Sequence, residues 1–274
     1  MPELPEVETV CQGLRPFMVN QTIEEVILRR SDLRYPFPPL MAERLKGQTI
    51  YRIDRRAKYI LIYVGNYVWI IHLGMSGRLQ RLNPSDDLTK HDHVVIHLTE
   101  GQRFVYHDPR RFGFMDLCDQ AWMSANRHLK NLGIEPLDDH VSAKDLYQKL
   151  SSSQRLIKSA LLDQTIVVGL GNIYVCESLW LSGISPYRHC SALTIEDWHQ
   201  LLRHIRQVLR RAILAGGSSL KDHRQVNGHL GYFQHQFSVY DHHGKPCQRE
   251  GCQGRILKEV INNRSTYYCP QCQY

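Results

Sequence analysis

The sequence contains no run of about 18 consecutive apolar residues, the length that a membrane-spanning helix requires. Its first residues also lack the basic stretch followed by an apolar stretch that marks a signal peptide. No internal repeat and no low-complexity tract is present. These absences exclude the common membrane and repeat classes, and we expect a soluble protein of the cytoplasm.

The charge balance points toward a polyanionic partner. Lys and Arg number 34 against 27 Asp and Glu, which gives a net charge of +7 with neutral histidines. The excess is modest, so it ranks hypotheses without deciding among them. A chain of 274 residues has room for two domains, or for one large domain with an appendage.

The hydrophobic pattern changes along the chain. Val7, Val10, Cys11 and Leu14 repeat at helical spacing, so an amphipathic helix is expected to hold Pro2 at the protein surface. From Thr22 to about Asp116 the pattern predicts antiparallel strands, including a hairpin at Gly65-Asn66, in a sandwich or barrel. Beyond about Ile134 it predicts helices, of which the longest spans 194–215.

Four of the eight cysteines are crowded near the C-terminus: Cys247, Cys252, Cys269 and Cys272. Two closely spaced pairs, separated by sixteen residues, are typical of a four-thiolate zinc site on a β-hairpin. Two disulfides or an iron–sulfur cluster are the alternatives, and the absence of an export signal disfavours the disulfides. Because four protein ligands close the site, we expect one structural Zn²⁺.

The chain begins Met-Pro-Glu. Removal of Met1 would leave the secondary amine of Pro2, and an α-amino group titrates near ~7.7–8. Such an amine can attack a sugar carbon and form a cationic Schiff base, with Glu3 as the adjacent proton handler. The alternative is that the proline and the acidic residues simply begin a helix.

Further motifs follow the N-terminus in a fixed order. They are RRAKY (55–59), HLGMSG (72–77), KHDH (90–93), DPRRFG (108–113), VVGLGNIY (167–174) and the terminal cysteines. Together they resemble formamidopyrimidine-DNA glycosylase, a bacterial base-excision repair family, over the whole chain. The resemblance overturns the simpler interpretation of the N-terminus.

The resemblance implies a two-lobed α+β fold. An N-terminal β-sandwich domain would span residues 1–133. A helical domain with a helix-two-turn-helix motif and a lesion-sensing loop would span 134–238, and a zinc hairpin 239–274. Damaged double-stranded DNA would lie between the lobes, and the protein would be a monomer associated with the bacterial nucleoid.

The resemblance also implies the chemistry. Pro2 would attack the sugar C1′ of an oxidised purine nucleotide, with Glu3 as proton donor and acceptor. Lys58 would assist β-elimination and Arg264 would assist δ-elimination. The products would be a free base and a gapped strand.

A set of DNA-contacting residues is implied in the same way: His72, Met75, His91, Arg110, Arg111, Phe112, Lys158 and Asn172. Met75 and Phe112 would fill the space that an extruded nucleotide leaves, and Arg110 would contact the orphaned cytosine. From composition alone Met75 and Phe112 would be assigned to the core. Asn172, at the start of a helix, would bind phosphate or cap the helix.

Two other functions remain open from the sequence. An endonuclease VIII-type glycosylase shares the proline chemistry but prefers oxidised pyrimidines, and Leu4, Met75, Arg110 and Phe112 favour the purine-specific branch. A non-catalytic DNA- or RNA-binding zinc protein is the second alternative. One departure from the family pattern is the four-residue spacing between Cys247 and Cys252, where two is usual.

Overall fold

The computed structural model describes residues 1–83, 85–218, 226 and 231–274. The chain forms two compact units. The first comprises Met1–Lys130 with Ile213–Gln234, and the second comprises Asn131–Ala212 with His235–Tyr274. Residues 219–225 and 227–230 of the predicted lesion-sensing loop lie outside the described residues, and the three-domain division stays a prediction. Within the described part of the chain, no helix is both long enough and apolar enough to cross a membrane.

The first unit contains two four-stranded antiparallel sheets. One sheet has the strand order β1-β6-β7-β5 and the other has β2-β3-β4-β8. The strands are β1 (Ile23–Leu28), β2 (Ile50–Arg56), β3 (Tyr59–Val64), β4 (Tyr67–His72), β5 (Arg78–Leu82), β6 (Asp92–Leu98), β7 (Arg103–His107) and β8 (Phe114–Asp119). The predicted Gly65-Asn66 turn joins β3 to β4, with Val64 paired to Tyr67.

Helix α1 (Leu4–Met18) packs on the core of this unit, and a short helix α2 (Met41–Leu45) follows β1. Val7, Val10 and Leu14 are fully buried, as their spacing predicted. Glu3 and Glu6 form a reciprocal capping box at the start of α1, and Pro5 fits the first turn because its missing N–H has no helical partner there.

The second unit is mainly helical, with α3 (Ala143–Leu150), α4 (Ile157–Leu162), α5 (Asn172–Ser182) and most of α6 (Ile195–Leu214). Thr194 and Asp197 cap α6 reciprocally: each backbone N–H donates to the other side chain, at 2.9 and 3.2 Å. The apolar stripe of α6 is buried from Trp198 to Leu209.

A two-stranded hairpin, β9 (Leu257–Ile261) and β10 (Arg264–Tyr268), completes the second unit. The turn residues Asn262 and Asn263 both have positive φ angles, of 49° and 59°. Two-residue hairpin turns require this left-handed conformation, and asparagine tolerates it better than most residues. Arg264 is the first residue after the turn and is exposed.

Candidate active site and zinc centre

Glu3 is the N-cap residue of helix α1 and is almost fully buried. Its backbone N–H donates to Glu6 Oε2 at 2.9 Å. The other carboxylate oxygen of Glu6 accepts hydrogen bonds from the N–H and hydroxyl of Ser218, at 2.8 and 2.9 Å. Glu6 therefore fixes the Pro2-Glu3 segment to Ser218, which lies near the start of the predicted lesion-sensing loop, residues 217–240.

The predicted surface position of Pro2 is wrong for the chain that carries Met1. Pro2 is buried, and Met1 is half exposed. Met1 is bonded to the Pro2 nitrogen, which is therefore an amide nitrogen and not a nucleophilic amine. Only removal of Met1 gives Pro2 a free secondary amine.

Lys58 and His72 are brought together by the hairpin of β3 and β4. Lys58 follows Ala57, whose φ is +54°, in the turn between β2 and β3, and Lys58 is 6% exposed. His72 ends β4, and its Nδ1 accepts a hydrogen bond from the Gly74 N–H at 3.1 Å. Burial, together with the nearby positive charge of Lys58, lowers the pKa of His72 to about 4. His72 is thus neutral beside a cation at neutral pH.

Met75, Arg110 and Phe112 lie on two neighbouring loops. Met75 is 38% exposed and Phe112 is 44% exposed, so neither belongs to the core to which composition alone would assign it. The Arg110 guanidinium lies 4.9 Å from the centre of the Phe112 ring, within cation–π range. A Cβ on Gly74 would lie 2.3 Å from the Phe112 carbonyl carbon, so the two loops pack backbone against backbone.

Arg111 lies in the loop between β7 and β8 of the same unit, and His91 lies just before β6. Arg111 is exposed and has a φ of +56°, in a turn closed by its N–H to the Asp108 carbonyl at 3.3 Å. The His91 ring lies 5.7 Å from that of His107, which hydrogen-bonds Asp92 at 2.7 Å.

Asp108 lies between these loops, and the sequence analysis did not single it out. It is fully buried, and its carboxylate accepts hydrogen bonds from Ser76 Oγ at 2.5 Å and from the Gly113 N–H at 2.9 Å. The Asp-Pro start of the DPRRFG motif is a turn signal that could have pointed to it.

Lys158 lies in the interior of the second unit. It is fully buried, and its ammonium donates to Thr266 Oγ1 at 2.6 Å and to the Ser265 carbonyl at 3.2 Å. Burial lowers the pKa of Lys158, and the positive charge of Arg264 lowers it further. The structure therefore gives Lys158 a hairpin contact in place of the exposed position that direct phosphate binding needs.

Asn172 is the first residue of α5, and Gly171 is the N-cap. The Asn172 side-chain amide donates to the Ser265 carbonyl at 2.7 Å. Asn172 and Lys158 thus share one acceptor, and together they fix the residue that follows Arg264. The exposed Arg264 side chain starts from an anchored backbone.

The four C-terminal cysteines form one cluster, with all Sγ atoms within 4.8 Å of one another. The Sγ atoms of Cys247 and Cys272, and those of Cys252 and Cys269, are 3.7 Å apart. A tetrahedral site with Zn–S distances of about 2.3 Å places sulfur atoms about 3.8 Å apart. The donor set and its dimensions fit zinc, despite the longer spacing between Cys247 and Cys252.

Helix α5 contacts the zinc centre through Trp180. The indole N–H donates to Cys247 Sγ at 3.3 Å. Arg249, in the four-residue spacer, lies over the Trp180 ring and donates to the Trp180 carbonyl near the end of the helix. Within the same helix, the Glu177 carboxylate accepts hydrogen bonds from the backbone N–H groups of Ser238, Val239 and Tyr240 at 2.8 to 3.0 Å.

Family models account for most of the chain. The formamidopyrimidine-DNA glycosylase N-terminal domain matches residues 1–115, and the H2TH domain of the same glycosylase matches 132–224. A zinc finger found in FPG and IleRS matches 244–273. The chain belongs to the formamidopyrimidine-DNA glycosylase family.

Bacterial members of this family are similar to the chain over their full length. The formamidopyrimidine-DNA glycosylases of Ruegeria pomeroyi and Bradyrhizobium sp. are 49% and 46% identical, with each chain fully covered. A Lactococcus lactis Fpg solved with abasic-site DNA is 35% identical, has a TM-score of 0.90 and covers 99% of both chains. An FPG mutant of the same organism, solved with Fapy-dG-containing DNA, has a TM-score of 0.91.

These findings confirm several predictions: the family, the α+β fold, the structural zinc, and a base-excision repair DNA glycosylase that binds damaged DNA. The roles of individual site residues stay predictions, as does the placement of DNA between two lobes.

Proposed function

We propose that the chain removes oxidised purines from double-stranded DNA through the Pro2 amine and then cleaves the strand by β- and δ-elimination. The observation that carries the proposal is the anchored N-terminus. Glu6 ties the backbone of Glu3 to Ser218 in the interior of the first unit. A nucleophile that must meet one sugar carbon needs such a fixed starting position.

The chemistry follows from the nature of a secondary amine. The bond from the Pro2 nitrogen to C1′ forms as the bond from C1′ to the base breaks. Opening of the sugar ring then requires a proton on the ring oxygen and leaves an iminium, which carries a permanent positive charge. Glu3, next to the nucleophile, supplies and accepts protons in these steps.

Elimination uses the iminium as an electron sink. Loss of a C2′ proton expels the 3′ phosphate, and a second elimination expels the 5′ phosphate. Lys58, beside the neutral His72, assists the first step, and the exposed Arg264 assists the second. Each cation stabilises negative charge on a departing phosphate.

Access to C1′ requires extrusion of the damaged nucleotide, which costs a few kcal/mol. Met75 and Phe112 occupy the vacated space, and Arg110 hydrogen-bonds to the orphaned cytosine. His72, His91, Arg111 and Asn172 contact the DNA backbone. For Lys158 we propose an indirect role, in which it positions Ser265 and hence Arg264.

The decisive experiment is borohydride trapping on a duplex that contains 8-oxoguanine. We expect a covalent adduct at Pro2 in protein whose intact mass shows loss of Met1. Pro2→Gly should reduce excision strongly, and Glu3→Gln should abolish excision while retaining DNA binding. Glu100→Gln, at an exposed position in the same unit, is the control. Normal excision by Glu3→Gln would contradict the proposal, and binding without any adduct would favour a non-catalytic protein.

The same assay separates purine from pyrimidine specificity. One Lactococcus lactis Fpg was solved with DNA that contains an oxidised pyrimidine, so the duplex panel should include such a lesion. We expect faster excision of 8-oxoguanine and formamidopyrimidines. Affinity for DNA should fall steeply with salt because phosphate contacts release counterions. We propose that the enzyme acts as a monomer on the DNA of the bacterial nucleoid.

A further inference from the structure

We infer that Asp108 and Ser76 are positioning residues for nucleotide extrusion. They lock the loop that carries Met75 to the loop that carries Arg110 and Phe112, so that the three side chains enter the duplex as one rigid body. The inference rests on the proposed function, and it gives a role to a buried carboxylate that the chemistry does not use.

Asp108 and Ser76 form a chain of hydrogen bonds between the loops. Ser76 Oγ donates to Asp108 Oδ1 at 2.5 Å and accepts from the Arg110 N–H at 3.2 Å. Asp108 Oδ2 accepts from the Gly113 N–H at 2.9 Å. The carboxylate therefore holds Gly113 directly, and the Ser76 hydroxyl holds Arg110 and links the carboxylate to the neighbouring loop.

Contacts with His93 and Tyr106 hold Asp108 in place. Its carbonyl is hydrogen-bonded to His93 Nε2 at 2.9 Å. The Tyr106 hydroxyl lies 3.5 Å from Asp108 Oδ2 and 3.3 Å from the His72 carbonyl, at the start of the Met75 loop. Burial and the charge of Asp108 raise the pKa of Tyr106 well above its usual value, so the hydroxyl stays a donor.

Two glycines make room for this arrangement. A Cβ on Gly113 would lie 1.7 Å from the Tyr106 hydroxyl, and a Cβ on Gly77 would lie 2.4 Å from it. Both loops are thus closed against one buried hydroxyl. Neither loop can shift without breaking a hydrogen bond to Asp108 or overlapping Tyr106.

The rigidity of the two loops matters because of the exposed side chains that they carry. Met75 and Phe112 are apolar, yet each is more than one third exposed. To separate stacked bases, these side chains must hold their position against the stacking energy of the duplex. A flexible loop would yield instead, and the bases would stay stacked.

The test compares two substrates under single-turnover conditions with saturating enzyme. One duplex carries 8-oxoguanine opposite cytosine, and the other carries an abasic site with no damaged base to extrude. Asp108→Asn and Ser76→Ala should slow excision of 8-oxoguanine about 10- to 100-fold, the range for loss of a charge-assisted hydrogen bond. Borohydride trapping on the abasic duplex should keep the wild-type rate.

The control is Asp86→Asn, which alters a carboxylate that caps another loop of the same unit by accepting from Asn83. It should leave both rates unchanged. A fluorescent base analogue beside the lesion adds a direct readout, because Asp108→Asn should reduce the unstacking signal. If Asp108→Asn fails to fold, Ser76→Ala, which keeps the carboxylate, decides alone.

Equal loss on both duplexes by folded Ser76→Ala would overturn the inference, since the lock would then serve the chemistry or the fold in general. Unchanged rates on both would also overturn it. If wild-type protein gives no adduct on either duplex, the proposed function itself fails. The two failures are therefore distinguishable.

Discussion

Gly74→Ala offers a sharp test of how the two loops pack. Gly74 has a φ of +62°, where an alanine costs about 1 to 2 kcal/mol. The new Cβ would also lie 2.3 Å from backbone atoms of Phe112 and Gly113. Ordinary contact begins near 3.4 Å, so these atoms must move by 3.4 − 2.3 = 1.1 Å. Overpacking of this kind costs about 1 to 3 kcal/mol.

Gly101→Ala is the matched control. Gly101 has a φ of +68°, but nothing lies within 4 Å of its Cβ position. It therefore pays the conformational penalty alone. We expect a loss in free energy of unfolding of about 2 to 5 kcal/mol for Gly74→Ala and about 1 to 2 kcal/mol for Gly101→Ala.

Activity should separate the two variants further. A misplacement of about 1 Å can reduce a rate about 100-fold. Excision of 8-oxoguanine should fall by that order in Gly74→Ala and stay unchanged in Gly101→Ala. Urea unfolding and single-turnover excision measure both effects. If the variants match in unfolding midpoint and in rate, the close approach of the loops does not govern function and the reasoning is refuted.

Three further predictions concern the zinc centre, His72 and Glu177. Cys269→Ser should lose bound zinc and the ordered hairpin, measured by metal analysis and circular dichroism, whereas Cys118→Ser should retain both. The pKa of His72 is about 4 in the folded chain against 6.5 when unfolded. As the pH is lowered, the unfolded chain therefore binds this proton before the folded chain does. The contribution of neutral His72 to the free energy of unfolding should be complete above pH 6.5 and should be lost progressively as the pH falls toward 4. An NMR titration that places the ring near 6.5 would contradict this. Glu177→Gln leaves fewer acceptors for three backbone N–H groups. It should lower the free energy of unfolding, measured in urea, by about 1 to 3 kcal/mol, whereas the substitution of an exposed residue, Glu196→Gln, should change it little.

Local patterns in the sequence predicted the features that depend on near neighbours. The stripe of α1 and the zinc cysteines each rest on residues a few positions apart or on a known spacing. The hairpin at Gly65-Asn66 was found for the same reason.

Features that depend on distant residues were missed. Strand β1 pairs with β6, so residues such as Ile23 and Leu98 meet across a long stretch of chain. The Asp108 carboxylate accepts a hydrogen bond from Ser76, 32 residues earlier in the chain. The family resemblance placed Lys158 near the DNA, and it could not show that a hydroxyl and a carbonyl on β10 compensate the burial of this lysine.

Both ends of helix α5 contact the C-terminal segment that carries the four cysteines. Asn172, at the first end, bonds Ser265 on β10, and Trp180, near the last end, bonds Cys247. Thiolate ligands are vulnerable to oxidation. Reactive oxygen that damages guanine would thus also threaten the enzyme that repairs it. In the proposed mechanism, release of the metal would loosen Arg264 and impair the second elimination, while the Pro2 amine would still attack the sugar. Such protein would carry out the first elimination and leave the second undone.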